Sequence, residues 1–287
     1  MMNNKIKVSL IQMSSISRDV EGNLEIALKL AKKGVENGSK LVVFPELFDS
    51  GYCVELEDYK YASDFENFED SKTLTTLLDF CLKYQVYVVG SIIERDSHNK
   101  VFYDTAFILS QKGLVGKYRK IYLWGDEIRR FCRGEDYPVF SLDFGGFRAK
   151  VGLQICYEIG FSEGARILGL KGADILIFPS AFGRARLYAW NLASRARALE
   201  NGVFVLAVNQ SRSQISQFTH QKINFAANSQ IINPQGEVLA RARKSNEVLI
   251  CGLDLGECAK QRKAIPYLQD MDVSLQIKAL QSLENRL

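Results

Sequence analysis

Histidine is nearly absent: the 287 residues include two, His98 and His220, both in polar surroundings that read as loops. A Cys–His or Ser–His catalytic pair would have to draw on one of them, and neither stands beside a promising nucleophile. Any nucleophilic chemistry therefore points to a carboxylate or a lysine as its base. Cysteine is scattered: Cys53, Cys81, Cys132, Cys156, Cys251 and Cys258 form no C-x-x-C pair, which leaves zinc ligation unsupported. The N-terminal stretch alternates lysine with apolar residues and lacks the apolar core of a signal peptide, so reduced thiols and a cytoplasmic location are expected. No apolar run approaches the roughly 18–20 residues that span a bilayer. Proline totals 5, and no linker rich in Pro, Gly or Ser divides the chain. The 37 basic residues exceed the 33 acidic ones only slightly and form no block, so neither a nucleic-acid arm nor a membrane partner is expected.

Against these absences stands a pattern of strands and helices. Lys5–Gln12 alternates as a strand, and Val20–Glu36 carries Leu24, Ala27, Leu28, Ala31 and Val35 at helical spacing until Gly38. Lys40–Phe44 is a short apolar run bounded by Pro45. Ser71–Tyr84 reads as a helix, and Val86–Glu94, Val101–Leu109 and Leu114–Arg119 as strands, with a tight turn at Gln111–Gly113. Alternation resumes with strands over Arg148–Ile155, Asp174–Phe178 and Val203–Asn209, and helices over Glu163–Lys171 and Tyr188–Glu200. Phe225–Ile232 and Glu237–Arg241 flank an N-P-Q-G reversal, and Val248–Leu253 closes the sheet region. The reading is one α/β domain over residues 1–255 and a helical tail over 256–287 that packs on the domain or on a neighbouring subunit. In such folds, polar residues at the carboxyl ends of buried strands line the site.

Three segments put reactive groups there. Glu46 follows a buried apolar strand and a proline, where partial desolvation would raise its pKa towards that of a useful base; a solvated loop carboxylate is the plain alternative. Lys120 ends Lys117-Tyr118-Arg119-Lys120, although basic residues also decorate exposed strand ends. Cys156 ends Val151-Gly152-Leu153-Gln154-Ile155 and precedes a helix, so it is placed like the serine of a nucleophile elbow with free N–H groups nearby. Free cysteines are otherwise mostly buried and inert, which suits the other five.

Taken together, Phe44-Pro45-Glu46, Tyr118-Arg119-Lys120 and Gln154-Ile155-Cys156-Tyr157-Glu158 resemble, in order, the signatures of the nitrilase superfamily, or carbon–nitrogen hydrolases. The resemblance runs from Lys5 to about Leu253 and includes Gly172–Leu176, Phe178-Pro179-Ser180, Arg195–Asn201, Val208-Asn209 and Asn233–Glu237. It implies a four-layer α-β-β-α sandwich, with Glu46 as general base, Lys120 as the lysine and Cys156 as nucleophile. A second family glutamate orients the lysine; Glu127 is its counterpart here, with Glu135 and Asp126 as alternatives. Two stretches depart from the family pattern. Phe161-Ser162-Glu163 replaces F-P-E, and Phe225-Ala226-Ala227-Asn228-Ser229 stands where many members carry G-G-x-S.

The reaction so implied is acyl transfer to water through a cysteine thioester, with Lys120 and the Tyr157 N–H holding the oxyanion, the ammonium lowering the thiol pKa, and no metal or organic cofactor. A small linear amide is the expected substrate, followed by an N-carbamoyl amine or amino acid. A nitrile ranks third, because nitrilases place tryptophan where this chain has Tyr157. No arginine follows the cysteine closely, so Arg184 and Arg186 are candidates for a substrate anion, or else rim or subunit contacts. Tyr52, Tyr157, Phe182 and Trp190 are candidate apolar walls. A catalytically idle binding member is the contrasting class, opposed by the intact Glu46, Lys120 and Cys156. The superfamily's membrane-bound N-acyltransferases are set aside for want of membrane helices. The family's pairing implies a homodimer or larger assembly through Tyr188–Glu200 and the tail.

Overall fold

Strand alternation sets the layers. In the computed structural model, which describes residues 4–284, β1 (Lys5–Gln12) turns Val8 and Leu10 to one face and Ile11 to the other, and β2 (Leu41–Val43) does the same with Leu41 and Val43 against Val42. Between them runs α1 (Val20–Glu36), whose first turn is capped by the Asp19 side chain accepting from Gly22 N. After α2 (Asp58–Tyr61) comes α3 (Lys72–Tyr84), capped by Ser71. Leu24, Ala27 and Leu30 of α1 and Leu74, Leu77 and Phe80 of α3 cover the face that carries Ile11 and Val42. Full burial of a side chain of that size contributes about 1.5–3 kcal/mol.

The first sheet is completed by β3 (Tyr87–Asp96), β4 (Val101–Ser110) and β5 (Gly113–Arg119). The second contains β6 (Val139–Asp143), β7 (Arg148–Leu153), β8 (Ile175–Ser180) and β9 (Phe204–Asn209). The helices α4 (Ser162–Leu170) and α5 (Leu187–Asn201) fall between its strands. A ribbon, β10 (Ser213–Ile215) with β11 (Lys222–Asn224), precedes β12 (Gln230–Ile232), β13 (Val238–Arg241) and β14 (Glu247–Asp254). Strand order is β14-β1-β2-β3-β4-β5 in one sheet and β13-β12-β9-β8-β7-β6 in the other. Each sheet has three parallel strands at its heart and antiparallel strands outside. The two sheets face each other across a shared core of Val8, Leu10, Val43, Leu153, Ile177 and Leu206, and with the outer helices they make the four-layer α-β-β-α sandwich.

The tail forms α6 (Gly256–Ala264), α7 (Tyr267–Asp270) and α8 (Val273–Glu284). Cys258 and Gln261 seat α6 on the body, α7 touches α4 and α5, and α8 leaves Val273, Leu275, Ile277 and Leu280 exposed. Residues 1–3 and 285–287, the ends of the expected domain and tail, lie outside the described residues. No described helix is long and apolar enough to cross a membrane.

Two expectations need correction. Strand Val139–Asp143 went unpredicted, because it is an edge strand of mixed composition that follows Pro138. The strand expected over Phe225–Ile232 is confined to Gln230–Ile232, because Ala227 and Asn228 take left-handed φ values of 51° and 57°, which no strand accommodates. Glycine reaches that region without the cost a Cβ imposes, so this is where the departure from G-G-x-S has a physical consequence.

Candidate active site

Glu46 lies three residues beyond β2 and is fully buried. Its Oε1 accepts from Lys120 Nζ at 2.6 Å, and its Oε2 accepts from the backbone N–H of Ala181, just past β8, at 2.6 Å. Gln210 Nε2 donates to the Glu46 carbonyl at 2.8 Å, so the carboxylate of one sheet is gripped by the other. Lys120 directly follows β5; its ammonium also donates to Glu127 at 2.9 Å and to Asp104 Oδ2 at 3.4 Å. Glu127 stands on a 3-10 turn, Gly125–Arg129, where it also accepts from Tyr52 Oη at 2.7 Å and from Trp124 N at 2.8 Å. Of the alternatives to Glu127, Asp126 and Glu135 are exposed and do not touch the ammonium.

Cys156 opens the turn Cys156–Gly160 with φ at +49°, a strained value for a residue with a Cβ. The first hydrogen bond of that turn runs from Glu158 N to the Ile155 carbonyl at 3.0 Å, so the Tyr157 N–H precedes it. Glu158 ties this elbow to the lysine segment. One carboxylate oxygen accepts from Tyr118 Oη (2.7 Å), Ile121 N (3.0 Å) and Tyr122 N (3.2 Å), and the other accepts from Ile155 N (2.7 Å).

Three buried carboxylates share one ammonium. Burial pushes the Glu46 and Asp104 carboxyls up, with Lys120 pulling the other way and the neighbouring carboxylates adding to the rise in Glu46. Burial is also the largest influence on Glu158, raised to about 7, although Tyr118 and the backbone donors oppose it. The ammonium lowers the thiol pKa as expected, but it is outweighed. Burial, then the Glu46 charge, holds Cys156 above its ordinary value, and the opposing pull of Lys120 is smaller. Burial and the Glu46 charge thus favour the thiol form of Cys156 over a preformed thiolate. The oxygens of Glu46, Asp104 and Glu127 lie as close together as those of a cation site, but Lys120 Nζ sits among them and supplies the positive charge.

A cavity of about 240 Å³ opens over Cys156 and Glu127. Tyr52, Tyr157, Phe182, Trp124, Arg186 and Ile223 line it, whereas Glu46 and Lys120 lie beneath its floor. Arg186 stacks its guanidinium on Trp124, 4.3 Å from the ring centroid, and Trp124 meets Tyr157 edge-on at 4.8 Å. Gly183 makes room for this, since a Cβ there would come within 2.8 Å of Arg186 Nη2. Arg184 and Trp190 do not line the cavity. Arg184 emerges on the far side of the 3-10 turn Arg184–Arg186, and Trp190 is wholly buried behind Phe182, donating Nε1–H to the Asn228 carbonyl at 2.9 Å.

Sequence reasoning missed Asp104, Glu158 and the buried Arg130–Asp58 pair. Arg130 holds Asp58 through two bonds, of 2.9 and 2.7 Å, and donates to the Tyr52 carbonyl at 3.0 Å, fixing the residue whose hydroxyl reaches Glu127. Asp104 carried a signal, a charged residue opening the buried run Thr105–Leu109. His98 and His220 are both exposed, and all six cysteines are free.

The chain matches the family described as carbon–nitrogen hydrolase over residues 7–263. It is 34% identical over 252 residues to a nitrilase of Pyrococcus abyssi, covering 87% of this chain and 90% of that protein. With the omega-amidase NIT2-A of Xenopus laevis it shares 32% identity over 277 residues, 91% of this chain and 93% of the relative. The crystal structure of Saccharomyces cerevisiae Nit3, described as a member of branch 10 of the nitrilase superfamily, superposes with a TM-score of 0.82 at 30% identity, covering 92% of this chain and 95% of the other.

Proposed function

Because this chain belongs to the carbon–nitrogen hydrolase family of the nitrilase superfamily, and is thus a hydrolase of non-peptide carbon–nitrogen bonds, we propose that it cleaves small linear amides to carboxylate and ammonia through a thioester on Cys156. What supports this reading is the buried Glu46–Lys120 ion pair, joined through Glu127 to the same cavity that Cys156 lines. Glu46 takes the thiol proton as sulfur attacks the amide carbon. Lys120 and the Tyr157 N–H stabilise the oxyanion, a contribution of several kcal/mol where donors are preorganised. Collapse of the tetrahedral species breaks the carbon–nitrogen bond, and Glu46 returns the proton to leaving ammonia. Water, deprotonated by the same carboxylate, then attacks the thioester and frees the acid and the thiol. Glu127 and Tyr52 keep Lys120 oriented throughout.

The size of the cavity favours a short substrate. Arg186 lines it with no carboxylate partner among the described residues, which favours an amide bearing an anionic group away from the reacting carbon. The name omega-amidase borne by several relatives agrees with an amide substrate. Pairing of two copies through the outer face of α5, where Tyr188 and Leu192 are 74% and 70% exposed, is part of the same reading.

The test is ammonia release from a panel of short amides, N-carbamoyl compounds and nitriles, comparing wild type with Cys156→Ala. Turnover of amides by the wild type alone is expected, with an acyl adduct on intact protein by mass spectrometry. Equal ammonia release from the two proteins would remove the catalytic assignment.

A further inference from the structure

A second cavity, of about 300 Å³, lies on the other side of the Gly183–Phe225 bridge. Arg184, Arg212, Arg243 and Lys244 all line it, and no carboxylate does. Among the described residues, none of these four side chains has an ion-pair or hydrogen-bond partner. Glu247, three and four residues further on, is turned to the backbone, accepting from Arg243 N and Lys244 N at 2.7 Å each. Unpaired cations are common on this surface; what distinguishes these four is that they line one cleft that holds no acid, whereas the cations around Glu94, Arg119 and Lys117, share a carboxylate. All four are exposed, so water and salt screen their mutual repulsion, and an anion seated in the cleft would meet unpaired positive charge from several segments.

The cleft is built rather than loose. Four segments form it, and the three besides that of Arg184 are bonded together: Ser211 Oγ donates to the Ser245 carbonyl, Phe225 N to the Arg212 carbonyl at 2.9 Å, and Ala227 N to the Gln210 carbonyl at 3.1 Å. Two of its lining residues, Arg212 (φ +60°) and Ala227 (φ +51°), are held in left-handed conformations, a strain that surrounding structure must sustain and that gathers at functional sites. The cleft is distinct from the amide cavity. The Gly183–Phe225 bridge stands between them, and the turn after Gly183 sends Arg186 to one and Arg184 to the other.

We propose that this cleft is a binding site for a small polyanion carrying a pyrophosphate or adjacent phosphate groups. Planar guanidinium forks match phosphate oxygens in pairs, and three arginines with a lysine balance the two to four negative charges of such a ligand, whereas a single carboxylate leaves most of them unmet. The volume suits a small molecule.

The experiment is calorimetric titration of the full chain with inorganic pyrophosphate, comparing wild type with the double variant Arg212→Gln/Arg243→Gln. Ammonia release from a neutral amide reports that the variant is folded. Saturable one-to-one binding is expected in the wild type, weakened at least about tenfold in the double variant and again between roughly 50 and 200 mM salt. Lys244→Gln, which removes one exposed ammonium, is expected to weaken binding by about threefold and keeps the test available if the double variant fails to fold. Displacement of pyrophosphate by ADP identifies a nucleotide as a competent occupant; failure of ADP to compete narrows the ligand to inorganic polyphosphate. The proposal falls if the wild type shows no saturable binding up to about 10 mM pyrophosphate, or if the variants bind as the wild type does.

Discussion

The Tyr52 hydroxyl donates a 2.7 Å hydrogen bond to Glu127 Oε1, and Glu127 in turn accepts from Lys120. A ring expected to serve only as an apolar wall thus bears on the charge of the site. A hydrogen bond to a charged group contributes about 1.5–3 kcal/mol. Tyr52→Phe should therefore lower kcat about tenfold or more while leaving KM nearly unchanged, as steady-state ammonia release will show.

Removing the ammonium should be far more damaging. Lys120→Met leaves Glu46, Asp104 and Glu127 buried together without their shared counter-charge, a loss of about 3–5 kcal/mol. The pKa values of Glu46 and Asp104 then rise further above their unfolded values, so the variant's residual stability should be greatest at low pH and fall as pH rises. Urea denaturation at acidic and alkaline pH measures this; equal losses at both would contradict it.

The two arginines of the turn after Gly183 should behave differently. Arg186→Gln is expected to raise KM about tenfold for amides bearing a carboxylate, the size of one charge-assisted contact, with little change for neutral amides. Arg184→Gln, outside the cavity, should leave both sets of constants alone.

Asp49 offers a pH-dependent stability change remote from the chemistry. Burial raises its carboxyl from 3.8 to about 6, against the opposing bonds from Thr73 and Ser50. The folded form thus holds a proton that the unfolded form has lost. The stabilisation is full below pH 3.8 and disappears as pH rises through about 6. Asp49→Asn imitates the protonated form and should flatten that part of the stability profile, by roughly 2–3 kcal/mol.

Ala227→Gly relieves a left-handed alanine and should raise stability by about 0.5–1 kcal/mol in chemical denaturation, after the extra freedom of glycine in the unfolded chain is deducted. A loss of stability would mean that the Ala227 methyl makes packing contacts worth more than its strain.

Long amphipathic elements are legible in the sequence. Val20–Glu36 has the same bounds in sequence and structure, because a stripe of apolar residues on a capped helix has few competing readings. The convergence of Glu46, Lys120 and Cys156 is expected from ordered motifs; Glu46 and Cys156 follow the buried strands β2 and β7, whereas Lys120 follows the partly exposed edge strand β5. Less visible are groups whose role depends on a neighbour from another element. Asp104 meets Lys120 only because β4 and β5 pair antiparallel, and Arg130 meets Asp58 across 72 residues of sequence. Arg184 and Arg186 cannot be told apart by sequence, because a single 3-10 turn separates them by two residues yet directs them to different cavities. Trp190 has the composition of a wall residue, but its place on α5 turns it inward.

Glu46 is held by Lys120 from its own sheet and by the Ala181 amide from the opposite one. Catalytic turnover, on this geometry, doubles as a gauge of alignment between the two halves of the sandwich. On the proposed mechanism, a perturbation that lets the sheets slide by even an ångström parts Glu46 from Cys156 before any strand melts, so activity should vanish ahead of secondary structure on gradual denaturation.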